Sequence, residues 1–334
     1  MNRAKFLGSL GSGGLALLAA APPSQQGKKV RFVVMPKQLD NPIFNYARIG
    51  AMEKARELGV EIIWSAPVSN DEAKQAELLR SFIAQKVNGI AVSCTNPEIL
   101  SGPINQAVAA GIPVTTWDSD SPNSKRTAFF GLDDYKAGEI VAREVGEMIG
   151  GKGKVAIMAG VPDATNLVMR VKGVRDYTRK NFPDVQMLPP VYCHDDVDKA
   201  VQAVDSIMRA HPDLAAWAMI GGWPLFSASG LNSVDPGKTK VVSLDPLKEV
   251  WPWIEQGKLQ VGVGQKVFDW GAKSVELLWR LHRGEKIAEA KDGWFVDSGV
   301  DLVVLDPKKF PHPERYISLA DYKKMFESRL KSAK

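Results

Sequence analysis

Short apolar runs alternate with amphipathic stretches along most of the chain. Residues 30–35, 60–64, 89–93 and 112–117 have the length and β-branched character of strands buried on both faces. Helical stretches separate them. One opens at Asn41-Pro42 and closes at Leu58-Gly59. The next is capped by Asn70-Asp71 and carries Ala73, Ala76, Leu79, Phe82 and Ile83 at helical spacing; a third begins near Pro97. The alternation then restarts, with strands expected at 154–158, 185–192, 215–220 and 240–244 and helices at 166–180, 197–210 and 224–232. A Pro-punctuated linker from Lys308 leads to an amphipathic helix at 319–330, expected to pack on the surface. Two successive α/β series predict an α/β fold of two doubly wound parallel-sheet lobes, whose ligands lie beyond the carboxyl ends of the strands.

At 334 residues, each lobe can bury its own core. The first residues change the picture further. Arg3 and Lys5 precede an apolar run from 6 to 21 and then Pro22-Pro23-Ser24, the order of a secretory signal peptide. That run is short and glycine-rich for a membrane span. We therefore expect residues 1–27 to be signal and linker, and an extracytoplasmic mature protein. The net charge of +5 falls to +3 without Arg3 and Lys5, and no basic block suggests nucleic acid. Cys94 and Cys193 are too few and too distant for a disulfide framework, and the four histidines lack paired metal spacing. No metal or cofactor is expected. Gly150-Gly151-Lys152-Gly153-Lys154 lacks the spacing and the Ser/Thr of a phosphate loop and precedes a strand, so it reads as a helix-to-strand turn.

Candidate chemistry sits at strand ends. Lys37 to Phe44 follow the first strand, Trp117-Asp118-Ser119-Asp120 the fourth, and Asp245 and Gln265 end strands in the second half; Arg170 lies on the helix after Met158-Ala159-Gly160. Asp at such positions is also a common helix cap. Hydroxyl-rich ligands both donate and accept, so a binder needs carboxylates, amides and a guanidinium aimed at one point, with aromatic faces for C–H surfaces.

These residues resemble the periplasmic sugar-binding proteins of the ribose and galactose type. Leu39-Asp40-Asn41-Pro42-Ile43-Phe44 is similar to that family's Asn-Pro-aromatic-Phe motif. Ile112-Pro113-Val114 through Asp118 resembles its strand ending in a sugar-binding Asp, and Arg170-Val171-Lys172-Gly173 its Arg-x-x-Gly helix. Val242-Ser243-Leu244-Asp245 and Val261-Gly262-Val263-Gly264-Gln265 are similar to its strands ending in a ligand-binding Asp and Gln. The resemblance implies a type I periplasmic binding protein fold with a three-stranded hinge near Gly131-Leu132, Gln265-Lys266 and Ser298-Gly299. It implies lobes of 28–131 plus 266–298 and 132–265 plus 299–334, and no catalysis. Ser119 replaces a frequent Arg, Ile43 the first aromatic, and Trp223 stands near an expected Asn. Lys37 and Asp118-Ser119-Asp120 resemble the related binders of rhamnose and of a furanone autoinducer, but Thr165-Asn166 replaces the latter's Asp-Gln pair. The implied function is capture of a monosaccharide or polyol by a monomer that delivers it to the membrane permease of an ABC importer; the alternative is a binder of the furanone autoinducer or the ligand-binding component of a sensor or chemotaxis system. The expected site is Lys37, Asn41, Phe44, Asp118, Asp120, Asn166, Arg170, Trp223, Asp245 and Gln265. Cys94 is expected to be a small buried thiol, and Trp64, Trp117, Trp251, Trp253, Trp270 and Trp279 packing residues.

Overall fold

The computed structural model describes residues 29–289 and 294–332; the expected leader lies outside them. The first α/β series is β1 (Arg31–Met35), α1 (Ile43–Leu58), β2 (Glu61–Trp64), α2 (Glu72–Ala84), β3 (Gly89–Val92), α3 (Pro97–Ala109), β4 (Val114–Trp117) and β5 (Ala128–Gly131). The second begins with α4 (Asp134–Met148), β6 (Lys152–Ala159), α5 (Thr165–Asn181), β7 (Asp184–Met187), β8 (Val191–Tyr192), α6 (Val197–Ala210) and β9 (Leu214–Met219). It continues with β10 (Lys240–Leu244), α7 (Trp251–Glu255) and β11 (Val261–Gln265). Then come α8 (Val267–His282), β12 (Phe295–Asp297), β13 (Val300–Val304), β14 (Tyr316–Ser318) and α9 (Leu319–Ser332).

One sheet has the order β12-β5-β4-β3-β1-β2, all parallel. The other runs β14-β13-β11-β10-β9-β6-β7, with β8 also on β6; only the β11–β13 pair is antiparallel. The chain passes between the sheets after Gly131, after Gln265, and between Asp297 and Val300. Helices cover both faces of the sheets, so β1, β3, β9 and β10 are apolar at successive positions rather than at alternate ones. Each fully sequestered Val, Ile or Leu contributes about 1.5–3 kcal/mol.

The same packing device recurs in both halves. Helices α1 and α8 meet through Gly50 and Gly271, and α4 and α5 through Gly138 and Gly173. A Cβ at any of these would overlap a carbonyl of the facing helix, at Phe268, Ala47, Arg170 or Tyr135. Glycine is needed there for backbone approach, and the second crossing fixes the helix that carries Arg170.

Three expectations need correction. The run 185–192 is two strands, because Pro189-Pro190 supplies no amide donor to continue the ladder. The expected helix at 224–232 is a single 3₁₀ turn, Trp223–Phe226, followed by turns; Gly230 lies so close to the Pro224 carbonyl that a Cβ would overlap it. The terminal helix α9 is no mere surface element. Its Leu319, Tyr322 and Phe326 are buried, and Phe326 lies 4.9 Å from both Tyr46 and Phe268 on the helices of the first sheet.

Candidate functional site

The carboxyl ends of the two sheets face each other, and the polar residues that follow their strands meet between them. From the first sheet, Lys37 follows β1 and Asp118 follows β4. Asp118 adopts φ 58°, a left-handed conformation that Asp tolerates better than bulkier residues. Ser93 Oγ donates to Asp118 Oδ2 at 2.6 Å, and Lys37 Nζ stands 3.9 Å from the same oxygen. Asn41 Oδ1 accepts from the Ile43 amide at 3.2 Å, which starts α1 and places Phe44 on its inner face. Buried Gln75 ties the ends of β1 and β3 together, donating to the Pro36 and Ser93 carbonyls (3.0 and 2.8 Å) and accepting from the Thr95 amide (3.0 Å).

From the second sheet, Asn166 and Arg170 lie one turn apart on α5. Arg170 Nε donates to Asp134 Oδ1 (2.8 Å), Nη2 to Gln265 Oε1 (2.9 Å) and Nη1 to the Ile220 carbonyl (3.3 Å). Gln265 Nε2 donates in turn to Asp245 Oδ1 at 2.7 Å, and the Gly222 amide to Asp245 Oδ2 at 3.2 Å. Burial pushes the Asp134 carboxyl up to about 6, against the opposing pull of Arg170, and raises that of Asp245 as well. The two sets touch across the gap: Lys37 Nζ donates to Asn166 Oδ1 (3.1 Å) and Asn166 Nδ2 to Asp118 Oδ1 (3.3 Å).

These groups enclose a cavity of ≈ 40 Å³ with Phe44, Trp223, Phe226 and Trp270 as its aromatic lining. It adjoins a more open cleft of ≈ 700 Å³ through the shared Asn41, Asp195, Trp223 and Phe226. A binding site for a drug-sized molecule occupies several hundred Å³. The inner space is smaller than that, and the hydrogen bonds of Asn166 to Lys37 and Asp118 cross it.

Lys37, Asn41, Phe44, Asp118, Asn166, Arg170, Trp223, Asp245 and Gln265 all line this cavity. Asp120, also expected in the site, does not line it. Its carboxylate is saturated within its own loop, accepting from Thr116 Oγ1 (2.5 Å), the Ser121 amide (2.8 Å) and Arg126 Nε and Nη2 (2.7 and 2.6 Å). Trp117 is fully buried beneath Phe44, 5.8 Å away and edge-on. Trp270 packs on Trp117 and lines the cavity too, a second role its helical position did not signal. Sequence reasoning also passed over Asp195, which stands after β8 as Asp118 stands after β4 and Asp245 after β10. All three have positive φ, 58°, 58° and 64° respectively. Among the described residues no cluster of His, Cys, Asp and Glu is placed to hold a metal ion, and both cysteines are free and buried.

The sequence profile of the periplasmic binding protein domain matches residues 32–286. The chain belongs to that family. The ribose import binding protein of Bacillus subtilis is 26% identical to this periplasmic binding protein over 271 residues, covering 80% of this chain and 87% of its own. An ABC transporter solute-binding protein from Burkholderia graminis, solved in complex with D-arabinose, is 28% identical with a TM-score of 0.75, covering 84% of this chain and 96% of its own. A glucose-galactose binding protein from Geobacillus stearothermophilus is 26% identical with the same TM-score of 0.75, covering 85% of this chain and all of its own. The fold is that of a type I periplasmic binding protein, and the family consists of solute binders rather than enzymes.

Proposed function

We propose that this periplasmic binding protein is the exported solute-binding component of an ABC-type importer and captures a small sugar or polyol between its two lobes. One observation carries the reading: donors, acceptors and aromatic faces from both sheets converge on a single cavity. Arg170, Gln265 and Asn166 offer donors, Asp118 and Asp245 accept hydrogen bonds from hydroxyls, and Lys37 and Asn41 orient the ligand from the side of Asp118. Phe44 and Trp223 cover its C–H surfaces. Two of the relatives described above, a ribose import binding protein and a solute-binding protein solved in complex with D-arabinose, support this ligand class.

The lobes in this reading are 28–131 with 266–298 and 132–265 with 299–334, hinged at the three crossings between the sheets. Ligand favours closure because only the closed form lets both lobes touch it. The closed monomer is then what the membrane permease recognises, and nucleic acid has no part in the cycle.

Isothermal titration calorimetry of the mature protein against pentoses, hexoses, deoxyhexoses and polyols tests the proposal. Saturable binding of at least one, recovered chemically unchanged, is expected. Binding of the furanone autoinducer with no response to any sugar or polyol overturns the ligand class, and steady conversion of a bound compound overturns the non-catalytic reading.

A further inference from the structure

Among the acidic residues of the cavity, Asp118 and Asp245 accept from neighbouring groups, whereas Asp195 has a carboxylate oxygen, Oδ1, that is sealed from solvent and has no hydrogen-bond partner. The usual structural role at this place belongs to its neighbour: Asp196 caps α6, accepting from the Lys199 amide at 2.9 Å. The nearby cations make their hydrogen bonds elsewhere. Lys37 is held by Asn166 and Asp118, and Arg170 by Asp134, Gln265 and the Ile220 carbonyl. Yet the fold takes trouble to keep it here. His194 and Asp195 are consecutive non-glycine residues at positive φ, 56° and 58°, a local strain that persists where surrounding structure enforces it. Gly160 leaves the space the carboxylate occupies, since a Cβ there would overlap Asp195 Oδ1 and the Trp223 ring. Burial raises the Asp195 carboxyl, with Lys37 opposing.

We propose that Asp195 is a specificity-determining residue of the cleft, accepting a hydrogen bond from a ligand hydroxyl at the junction between the inner cavity and the open cleft. The inference rests on the sugar or polyol reading above. It deepens that reading by requiring a hydroxyl at the end of the ligand that faces Asp195, Asn41 and Trp223, three of the four residues shared by the two spaces. A ligand whose mouth-facing end is a methyl or a bare methylene leaves a buried acceptor unpaired and is discriminated against.

Asp195→Asn is the informative substitution, because Asn tolerates the left-handed backbone and keeps the shape. Calorimetry is run on parent and variant with D-ribose, D-arabinose, D-galactose, D-glucose and xylitol, and then with the monodeoxy derivatives of whichever binds best. Melting temperature is followed without ligand. We expect the variant to melt at or above the parent, since an unpaired buried carboxylate is removed. Its affinity for the best sugar should fall about tenfold to a hundredfold. One monodeoxy derivative should bind parent and variant equally. Equal affinity of parent and variant for every bound sugar overturns the role of Asp195 while leaving the sugar reading intact. A lowered melting temperature with unchanged affinity assigns Asp195 to structure and also overturns it. If the parent binds nothing in the panel, the sugar reading itself fails and this inference falls with it.

Discussion

Arg170→Met separates what the buried guanidinium does for the fold from what it does for ligand. Methionine keeps most of the stem and strands three acceptors: Asp134 Oδ1, Gln265 Oε1 and the Ile220 carbonyl. The two neutral acceptors cost about 1 kcal/mol each when left buried, about 2 kcal/mol together. The Asp134 part depends on pH. Its carboxyl is raised from 3.8 to about 6 by burial, despite Arg170. Over that window the folded state binds more protons than the unfolded chain, so stability falls as pH rises, by about 3 kcal/mol once both states are ionised. Without Arg170 the carboxyl moves higher and is protonated in the folded state at pH 7. That neutral form lies about 4 kcal/mol above the unfolded reference at pH 7, so the extra loss is capped at about 1 kcal/mol. The variant should therefore lose about 3 kcal/mol at pH 7 but only about 2 kcal/mol at pH 5, where Asp134 of the parent is itself largely protonated. Urea unfolding at pH 5, 6 and 7 measures this. A loss that is the same at all three values, or that grows on acidification, refutes the Arg170–Asp134 coupling. In the same variant, sugar affinity at pH 7 should drop at least about tenfold, because a charged donor to the ligand is gone.

Gly138→Ala should lower stability by about 1–3 kcal/mol, because the new methyl meets the Arg170 carbonyl rather than a side chain that can yield; an unchanged melting temperature would show that the α4–α5 approach is looser than described. Cys94 and Cys193 should both titrate as free thiols after denaturation. In the native protein both should react slowly, since both are fully buried and burial raises each thiol above its ordinary range; fast labelling of either one, or an intramolecular disulfide by mass, would contradict this. The mature protein isolated from its native host should start between residues 20 and 30 by N-terminal sequencing, and recovery of intact Met1 in a cytoplasmic fraction would remove the export reading.

Several features of the cleft could be read from local pattern. A parallel strand covered on both faces must be apolar throughout, so Val33-Val34 or Ile90-Ala91-Val92 announce themselves, and the first polar residues after them lie at the sheet edge. That logic reaches Lys37, Asp118, Asp245 and Gln265, all of which line the cavity. It does not reach Trp270 or Phe226. Their spacing on a helix and a turn is that of ordinary core residues, and only the meeting of two sheets makes part of each ring a wall.

The clearest limit is the contrast between two aspartates. By sequence, Asp120 belongs to a strand-end cluster with Asp118, while Asp195 is half of an Asp-Asp pair before a helix. Periodicity and strand-end position determined which segments border the cleft, because burial on both faces of a sheet leaves a mark at every residue. Which carboxylate faces inward was decided by backbone conformation and by long-range partners. The left-handed turn at Asp118 sends the chain back so that Asp120 meets Arg126, and the one at Asp195 aims that residue past Gly160 while Asp196 caps the helix. A positive φ at a non-glycine residue and a partner drawn from a different strand or loop leave no periodic trace in the chain, so only the assembled tertiary structure could choose between them.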